Sequence, residues 1–179
     1  MPLAICVFCS SSDHVDGAYR AAAIELGQLI GQRGHTLVYG GGSIGLMGQL
    51  ARSVHQHGGK IIGVIPKLMV DHELCYHESD ELIVTETIRQ RKQIMDDRSD
   101  AFVALPGGFG TLEEMIEALT HRQLHYHDKP IVLINTNRFY EPLLVVFEQF
   151  YDEAFAKRKH RNSYDVAATP REAVQCVEK

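Results

Sequence analysis

The sequence predicts an α/β fold with a doubly wound parallel sheet that is flanked by helices on both faces. Short β-rich runs alternate with amphipathic stretches along the whole chain, which is typical of successive βαβ units. Several of these runs are apolar on both faces, as strands covered by helices on each side must be. No linker, repeat or low-complexity tract interrupts the pattern, so residues 1–179 are predicted to form a single domain.

Seven runs have the composition of strands. They are Leu3–Cys9, Thr36–Tyr39, Lys60–Ile65, Glu81–Val84, Ala101–Leu105, Ile131–Ile134 and Tyr164–Ala167. Six stretches are predicted as helices, namely Gly17–Arg33, Gly45–His57, Ile88–Arg98, Thr111–His121, Tyr140–Ala156 and Pro170–Val177. The last of these is predicted to start with a capping box, because Thr169 precedes Pro170 and Glu172 follows three residues after the cap.

Composition argues against two classes of partner. The net charge of −5 disfavours nucleic acid, since proteins that bind the phosphate backbone usually carry a basic surplus. The one dense basic run, Lys157–Arg161, is predicted to be a solvated helix end. No apolar stretch approaches the roughly 18 residues of a membrane span, and Leu3–Cys9 is too short for a signal peptide. We therefore expect a cytoplasmic protein without a membrane partner.

The cysteine and histidine patterns predict neither a redox site nor a metal site. Cys6 and Cys9 form C-x-x-C inside a strand, whereas redox pairs lie where a helix begins, so both are predicted to be buried thiols. His121 and His125 are one helical turn apart, and His127 follows, but no carboxylate or cysteine completes an obvious ligand set. These histidines are predicted to lie at a surface or an interface, and no metal or cofactor is expected.

The segment Ala101–Glu114 is the strongest functional signal. An apolar run stops at Pro106, and a helical pattern starts directly after three glycines, Gly107, Gly108 and Gly110. Glycines let backbone N–H groups approach a ligand, and a helix N-terminus adds unpaired donors and partial positive charge, which together favour a phosphate. A carboxylate facing that phosphate would repel it, so at least one of Glu113 and Glu114 is predicted to hold a sugar hydroxyl or a water. The segment predicts a phosphorylated-sugar site.

Two further loops also follow strands, Ser10–Ser12 and Gly40–Gly48, and all three loops are predicted to meet on one rim of the sheet. Gly40, Gly42 and Gly45 satisfy G-x-G-x-x-G, but the next strand ends in Pro66-Lys67 without the acidic residue that a dinucleotide fold uses for the ribose. We interpret this loop as backbone that approaches a phosphate or sugar, with tight packing and NAD binding as weaker alternatives.

The charged helix Ile88–Arg98 allows two interpretations. Arg89, Lys92 and Asp96 share one face, and Arg91, Met95 and Arg98 share another. The residues alone favour a charged surface helix with Met95 at its margin. The alternative places Arg91 or Lys92 over a phosphate or a leaving group, because a guanidinium suits planar anion contact and stays charged.

Three motifs in this order, GGGSIGLMG (40–48), RKQIM (91–95) and PGGFGTLEE (106–114), resemble the LOG family. Its members are cytokinin riboside 5′-monophosphate phosphoribohydrolases, formerly labelled lysine decarboxylase-like. The resemblance implies a Rossmann-like fold, a homodimer, and hydrolysis of the N-glycosidic bond of adenine-type nucleoside 5′-monophosphates, including AMP, to free base and ribose 5-phosphate. One departure is Ser10, where many relatives have glycine.

Carried over by position, the resemblance implies Arg91 and Glu114 as the catalytic pair. It implies substrate contacts at Glu73, Arg91, Lys92, Gly107, Gly108, Gly110, Thr111 and Thr120. A non-catalytic nucleotide or cofactor carrier of the same fold is the main alternative, because a phosphate nest does not prove turnover. The sequence leaves open the preferred base, a covalent sugar intermediate, and whether Arg91 acts at the phosphate or the leaving base.

Overall fold

The computed structural model describes residues 1–72 and 74–179 and confirms the doubly wound parallel sheet. Its strands are β1 (Ala4–Phe8), β2 (Thr36–Tyr39), β3 (Lys60–Pro66), β4 (Glu81–Thr85), β5 (Ala101–Ala104), β6 (Ile131–Ile134) and β7 (Asp165–Ala167). They lie in the order β4-β3-β2-β1-β5-β6-β7, and all neighbours are parallel. Val7 of β1 pairs with Tyr39 on one side and Val103 on the other, so β1 is the central strand.

Helices cover both faces of this sheet. They are α1 (Gly17–Gln32), α2 (Gly45–Gln56), α3 (Lys67–Asp71), α4 (Ile88–Asp97), α5 (Phe109–Gln123), α6 (Glu141–Asp152) and α7 (Pro170–Val177), with 3₁₀ helices at Thr136–Arg138 and Arg158–Ser163. Alternate residues of β1 enter different cores. Ile5 and Val7 pack with α1, α2 and α7, while Cys6 and Phe8 pack with α4, α5 and α6. Two cores explain why the strands are apolar on both faces.

Three helices differ from the sequence-based expectation. Helix α5 starts at Phe109 instead of Thr111, because the extended Gly108 (φ −90°, ψ −155°) already serves as its N-cap. Helix α6 stops at Asp152, well before the predicted end, and Ala154 just beyond it has a left-handed φ of 63° that a helix cannot contain. Helix α3 was not predicted, since its five residues are too few to show a helical period.

The predicted capping box of α7 is confirmed. The N–H of Glu172 donates to Oγ1 of Thr169 at 3.2 Å, and the N–H of Ala168 donates to Oε2 of Glu172 at 2.8 Å. Both members of the box therefore accept from backbone donors at the start of the helix.

Cys6 and Cys9 are buried free thiols, as predicted. Burial, reinforced by the negative charge of Glu114, raises the pKa of both thiols well above the ordinary value. A protonated, enclosed thiol is a poor nucleophile, so this C-x-x-C pair contributes packing within the sheet.

The basic run Lys157–Arg161 starts at the N-cap of the second 3₁₀ helix, beyond the end of α6. Arg158 pairs with Asp152 at 2.8 Å and Arg161 pairs with Glu148, so α6 itself neutralises part of this charge. Across residues 1–72 and 74–179, no helix combines the length and apolar character needed to cross a membrane.

The strand order brings the three predicted loops to one rim. Because β1 lies between β2 and β5, the loops that follow these strands are neighbours at the carboxyl edge. The N–H of Leu46 donates to the carbonyl of Ser10 at 3.0 Å, and the N–H of Gly45 donates to Oδ1 of Asp13 at 2.9 Å. Hydrogen bonds therefore tie the start of α2 to the loop after β1.

Candidate active site

A cavity of about 370 Å³ opens at this rim. Its polar side is formed by Arg91 of α4 together with Thr111 and Glu114 of α5. Its apolar side is formed by Ile44 of the glycine loop, Ile65 of β3, Met69 of α3, Ile88 of α4, and Leu74, which lies between α3 and β4. A pocket with few polar groups at one end and a broad apolar wall is typical of a small-molecule site.

Arg91 and Glu114 form an ion pair inside the cavity. Nη1 of Arg91 donates to Oε1 of Glu114, and Nε donates to the carbonyl of Val64 at 2.9 Å. The two side chains are only 12% and 11% exposed. Charges enclosed in this way interact strongly, and removing either partner leaves the other buried and unpaired. The surface-helix interpretation of α4 is therefore wrong for Arg91, and Met95 is fully buried.

Lys92 turns away from this cavity and holds α4 against α5. Its Nζ contacts a carboxylate oxygen of Glu113 and lies 2.6 Å from Oε2 of Glu117. Burial lowers the pKa of Lys92, but the hydrogen bonds to these two glutamates outweigh it and raise the pKa above the ordinary value. Two consecutive residues of α4 thus bind three carboxylates of α5, with Glu114 in the cavity and the other two outside it.

The N-terminus of α5 borders the same cavity. The first N–H groups of a helix have no intrahelical acceptor, and no side chain of the described residues caps α5. Thr111 is buried against Gly107, where a Cβ atom would lie 2.1 Å from Oγ1 of Thr111. At Gly108 and Gly110 the space beside the backbone is open. This start of α5 has the shape and the partial charge of an anion site.

The PGG turn separates two cavities. Gly110 and Thr111 line the 370 Å³ cavity, whereas Gly107 and Gly108 line a second one of about 200 Å³ together with Ser10. The predicted phosphate-binding residues therefore lie next to one another but on two sides of a single turn.

The glycines of the loop after β2 lie at the cavity and against the loop after β1. Gly40 and Gly42 line the cavity, which brings backbone to any ligand there. Gly45 has a left-handed φ of 61°, and a Cβ atom would lie 2.3 Å from the carbonyl carbon of Ser11. Gly40 and Gly42 therefore line the cavity, and Gly45 packs closely against the loop after β1.

Thr120, another predicted substrate contact, also lies away from this cavity. Thr120 lies about 13 Å along α5 from Thr111, donates to the carbonyl of Ile116 at 2.8 Å, and borders a groove between α5 and α6. Glu73 lies outside the described residues.

The three histidines take different positions. Nδ1 of His121 lies 3.5 Å from Oδ2 of Asp96, His125 follows the end of α5, and the ring of His127 packs against Phe102. Among the residues that the structure describes, no group of three or more histidine, cysteine or acidic side chains is arranged to hold a metal ion.

The apolar wall and the carbonyl of Val64 were not recognised from the sequence. Met69 belongs to α3, which was not predicted, and Val64 contributes only a main-chain atom. Leu68 and Met69 are partly exposed apolar residues directly after a strand, a pattern that could have indicated a ligand-facing segment.

Comparison with known proteins identifies the family. The family model described as "Possible lysine decarboxylase" matches residues 47–177. The probable cytokinin riboside 5′-monophosphate phosphoribohydrolase LOGL2 of Oryza sativa subsp. japonica is 43% identical over 174 residues, which cover 97% of this chain and 71% of the relative. The cytokinin riboside 5′-monophosphate phosphoribohydrolase LOG4 of Arabidopsis thaliana is 44% identical, with 97% and 81% covered. This chain belongs to the LOG family.

Solved structures resemble this LOG-family chain in fold. The molybdenum cofactor binding protein from Rippkaea orientalis superposes with a TM-score of 0.75 at 24% identity, covering 99% of this chain and 96% of the other. The Moco carrier protein from Chlamydomonas reinhardtii gives a TM-score of 0.75 at 26% identity, with the same coverage. One Rossmann-like architecture therefore underlies both enzymes and proteins named as carriers.

Removing the charge of Lys92 tests the α4–α5 clamp, by which we mean the ion pairs of Lys92 with Glu113 and Glu117. We expect Lys92→Met to lower the Tm near neutral pH, because Glu113 and Glu117 then lack their cation. Since the folded-state pKa of Lys92 is raised above 10.5, this stabilisation is complete at lower pH and is lost as the pH rises through the folded-state value. The difference in Tm between wild type and variant, measured by circular dichroism, should therefore shrink as the pH rises above 10.5.

Lys67→Met is the matched control, since Lys67 pairs with Asp71 in an exposed i,i+4 contact at 3.1 Å. Exposed pairs of this kind contribute only about 0.3–0.5 kcal/mol, so its effect on Tm should be small. Equal losses for the two variants, or a Lys92→Met difference that persists at high pH, would contradict the clamp.

Proposed function

We propose that this protein hydrolyses the N-glycosidic bond of adenine-type (cytokinin) nucleoside 5′-monophosphates and releases free base and ribose 5-phosphate. The observation that carries the proposal is the buried Arg91–Glu114 pair, which lies in a cavity bordered by the free N-terminus of α5. The names of relatives that are 43% and 44% identical over nearly the whole chain describe this activity.

Glu114 is proposed as the catalytic carboxylate. Cleavage of an N-glycoside builds positive charge on the ribose ring, in an oxocarbenium-like transition state. A carboxylate beside the ring stabilises that charge and orients or deprotonates the attacking water. Glu114 suits the task because it is enclosed in the cavity, where electrostatic interactions are stronger than in bulk water.

The 5′-phosphate is proposed to bind at the start of α5. Backbone N–H groups at Gly110 and Thr111 border the cavity, and Gly107 and Gly108 keep the turn before them free of side chains. The helix dipole and the unpaired donors favour a dianion there. With the phosphate at the first turn, the ribose lies within reach of Glu114, one turn further along the same helix.

Arg91 is proposed to orient Glu114 and to balance charge around the leaving base. Its bond to the carbonyl of Val64 fixes the guanidinium, and its bond to Glu114 fixes the carboxylate. The base is then directed to the apolar wall that contains Met69, Leu74 and Ile88. That wall suits an adenine with an apolar N6 substituent.

We further propose a homodimer in the cytoplasm. Apolar side chains of α6 that remain exposed, among them Val145, Val146 and Phe150, form a surface that a second copy can cover. The four cysteines are free thiols, which fits a reducing compartment. Glu73, Lys92 and Thr120 are retained as proposed substrate contacts on the family resemblance alone.

Two other activities fit less well. A carrier needs the phosphate nest, but it has no use for a carboxylate enclosed beside the sugar position. A lysine decarboxylase would need a neutral lysine amine to form a Schiff base with pyridoxal phosphate. Lys92, which follows Arg91 in α4, is instead held protonated by Glu113 and Glu117, which raise its pKa.

Substitution of the ion pair tests the activity. We expect Glu114→Gln and Arg91→Ala each to lower kcat/KM for AMP at least about a hundredfold, because each removes an electrostatic or acid–base group at the reacting bond. Release of adenine is measured by chromatography. Glu113→Gln, a neighbour on the outer side of α5, is the matched control and should lose less than about tenfold.

Near-normal turnover by a folded Glu114→Gln or Arg91→Ala variant would remove that residue from the mechanism. Tight binding of AMP by the wild-type protein without release of adenine would instead support a carrier.

Comparison of substrates tests the two ends of the cavity. Adenosine lacks the dianion for the α5 terminus, so its kcat/KM should fall at least about a hundredfold below that of AMP. Isopentenyladenosine monophosphate places apolar carbons against the wall of Met69, Leu74 and Ile88, and should exceed AMP at least about tenfold. Equal kcat/KM for all three substrates would show that the enzyme discriminates neither the 5′-phosphate nor the N6 substituent of the base.

A further inference from the structure

Gly40 lies directly against the guanidinium of Arg91. A Cβ atom at Gly40 would lie 2.1 Å from Nη2 and 3.3 Å from Cζ of Arg91. Real contacts are never this short, so a side chain at position 40 and the present position of Arg91 exclude each other. The cause is sheet register, since Tyr39 pairs with Gly63 and the next step along places Gly40 beside Val64, whose carbonyl binds Nε of Arg91.

Arg91 cannot move aside without losing its other contacts. The far end of an arginine is usually flexible, and a nearby methyl group would simply displace it. Here Nε is bound to the carbonyl of Val64, Nη1 is bound to Glu114, and the side chain is only 12% exposed. Displacement of the guanidinium therefore breaks two hydrogen bonds and releases the carboxylate that faces the cavity.

We propose that Gly40 is a positioning residue for the reaction: its missing side chain forms the slot that holds Arg91 against Glu114. This inference rests on the proposed function for its catalytic consequence, but the contact itself is independent of turnover. Gly40, the first glycine of the loop after β2, then makes room for a side chain of α4, a role separate from bringing backbone close to a phosphate.

Substitution of alanine at position 40 tests the contact with Arg91, because it does not strain the backbone. Gly41 and Gly45 have left-handed φ values of 72° and 61°, whereas Gly40 has a backbone conformation that alanine can adopt. The other close atom is Sδ of Met47 at 3.2 Å, in a flexible side chain that can give by a few tenths of an ångström. The main obstacle to Gly40→Ala is therefore the guanidinium of Arg91.

The experiment is a double-mutant cycle between Gly40→Ala and Arg91→Ala. In the wild-type background we expect Gly40→Ala to lower kcat/KM about a hundredfold, as small misplacements of catalytic groups do. In the Arg91→Ala background the same change should cause no further loss, because the guanidinium is gone. Gly41→Ala is the control, since its left-handed backbone is disturbed whether or not Arg91 is present, and its effect should be additive with Arg91→Ala.

The same double-mutant cycle can be measured by thermal unfolding, which does not depend on catalytic activity. Gly40→Ala should lower the Tm by roughly 3 °C or more in the wild type and by less than about 1 °C in the Arg91→Ala background. If Arg91→Ala does not fold, Arg91→Lys serves as the second background, since lysine lacks the Nη2 atom. Additive losses in both kcat/KM and Tm would overturn the inference. Absence of turnover in the wild type, with a non-additive Tm cycle, would overturn the proposed function but would still show that Gly40 makes the slot for Arg91.

Discussion

The ion pair between Arg91 and Glu114 is the interaction on which the site depends. It joins α4 to α5 inside a cavity, where neither charge has enough solvent to be stable alone. The surrounding structure supplies what a buried pair needs. The carbonyl of Val64 accepts from the guanidinium, and Lys92 binds Glu113 and Glu117 on the adjoining turns of α5. Glycine at position 40 leaves room for Nη2 of Arg91. Each of these contacts limits where the Glu114 carboxylate can lie.

The topology of the sheet explains why this pair coincides with an anion site. Central strand β1 separates β2 from β5, so the glycine loop after β2 and the PGG turn after β5 face each other across one strand. Helix α5 contributes its unpaired N–H groups at one end of the cavity and Glu114 one turn later. In the proposed reaction, a single helix therefore sets the distance between the phosphate and the reacting carbon, which the substrate carries on one ribose.

Much of the fold was accessible from the sequence, because strands apolar on both faces and helices of regular period leave clear patterns. The capping box at Thr169 and the meeting of three loops on one rim followed from local rules and were confirmed. The failures have common physical causes. Helix α3 is too short to show a helical period in the sequence. Arg91 resembled a surface residue because its acceptor is the main-chain carbonyl of Val64, which lies 27 positions earlier in the chain. Contacts set by tertiary packing, including the slot at Gly40, have no local signature.

The most direct test of the account is a crystal structure of the Glu114→Gln variant with AMP bound. The account predicts the phosphate oxygens within hydrogen-bond distance of the backbone N–H groups of Gly110 and Thr111, with the side chain at position 114 facing C1′ of the ribose. It also predicts the adenine against the wall that contains Met69 and Ile88. A phosphate bound away from the start of α5, or a side chain at position 114 directed away from the ribose, would contradict it.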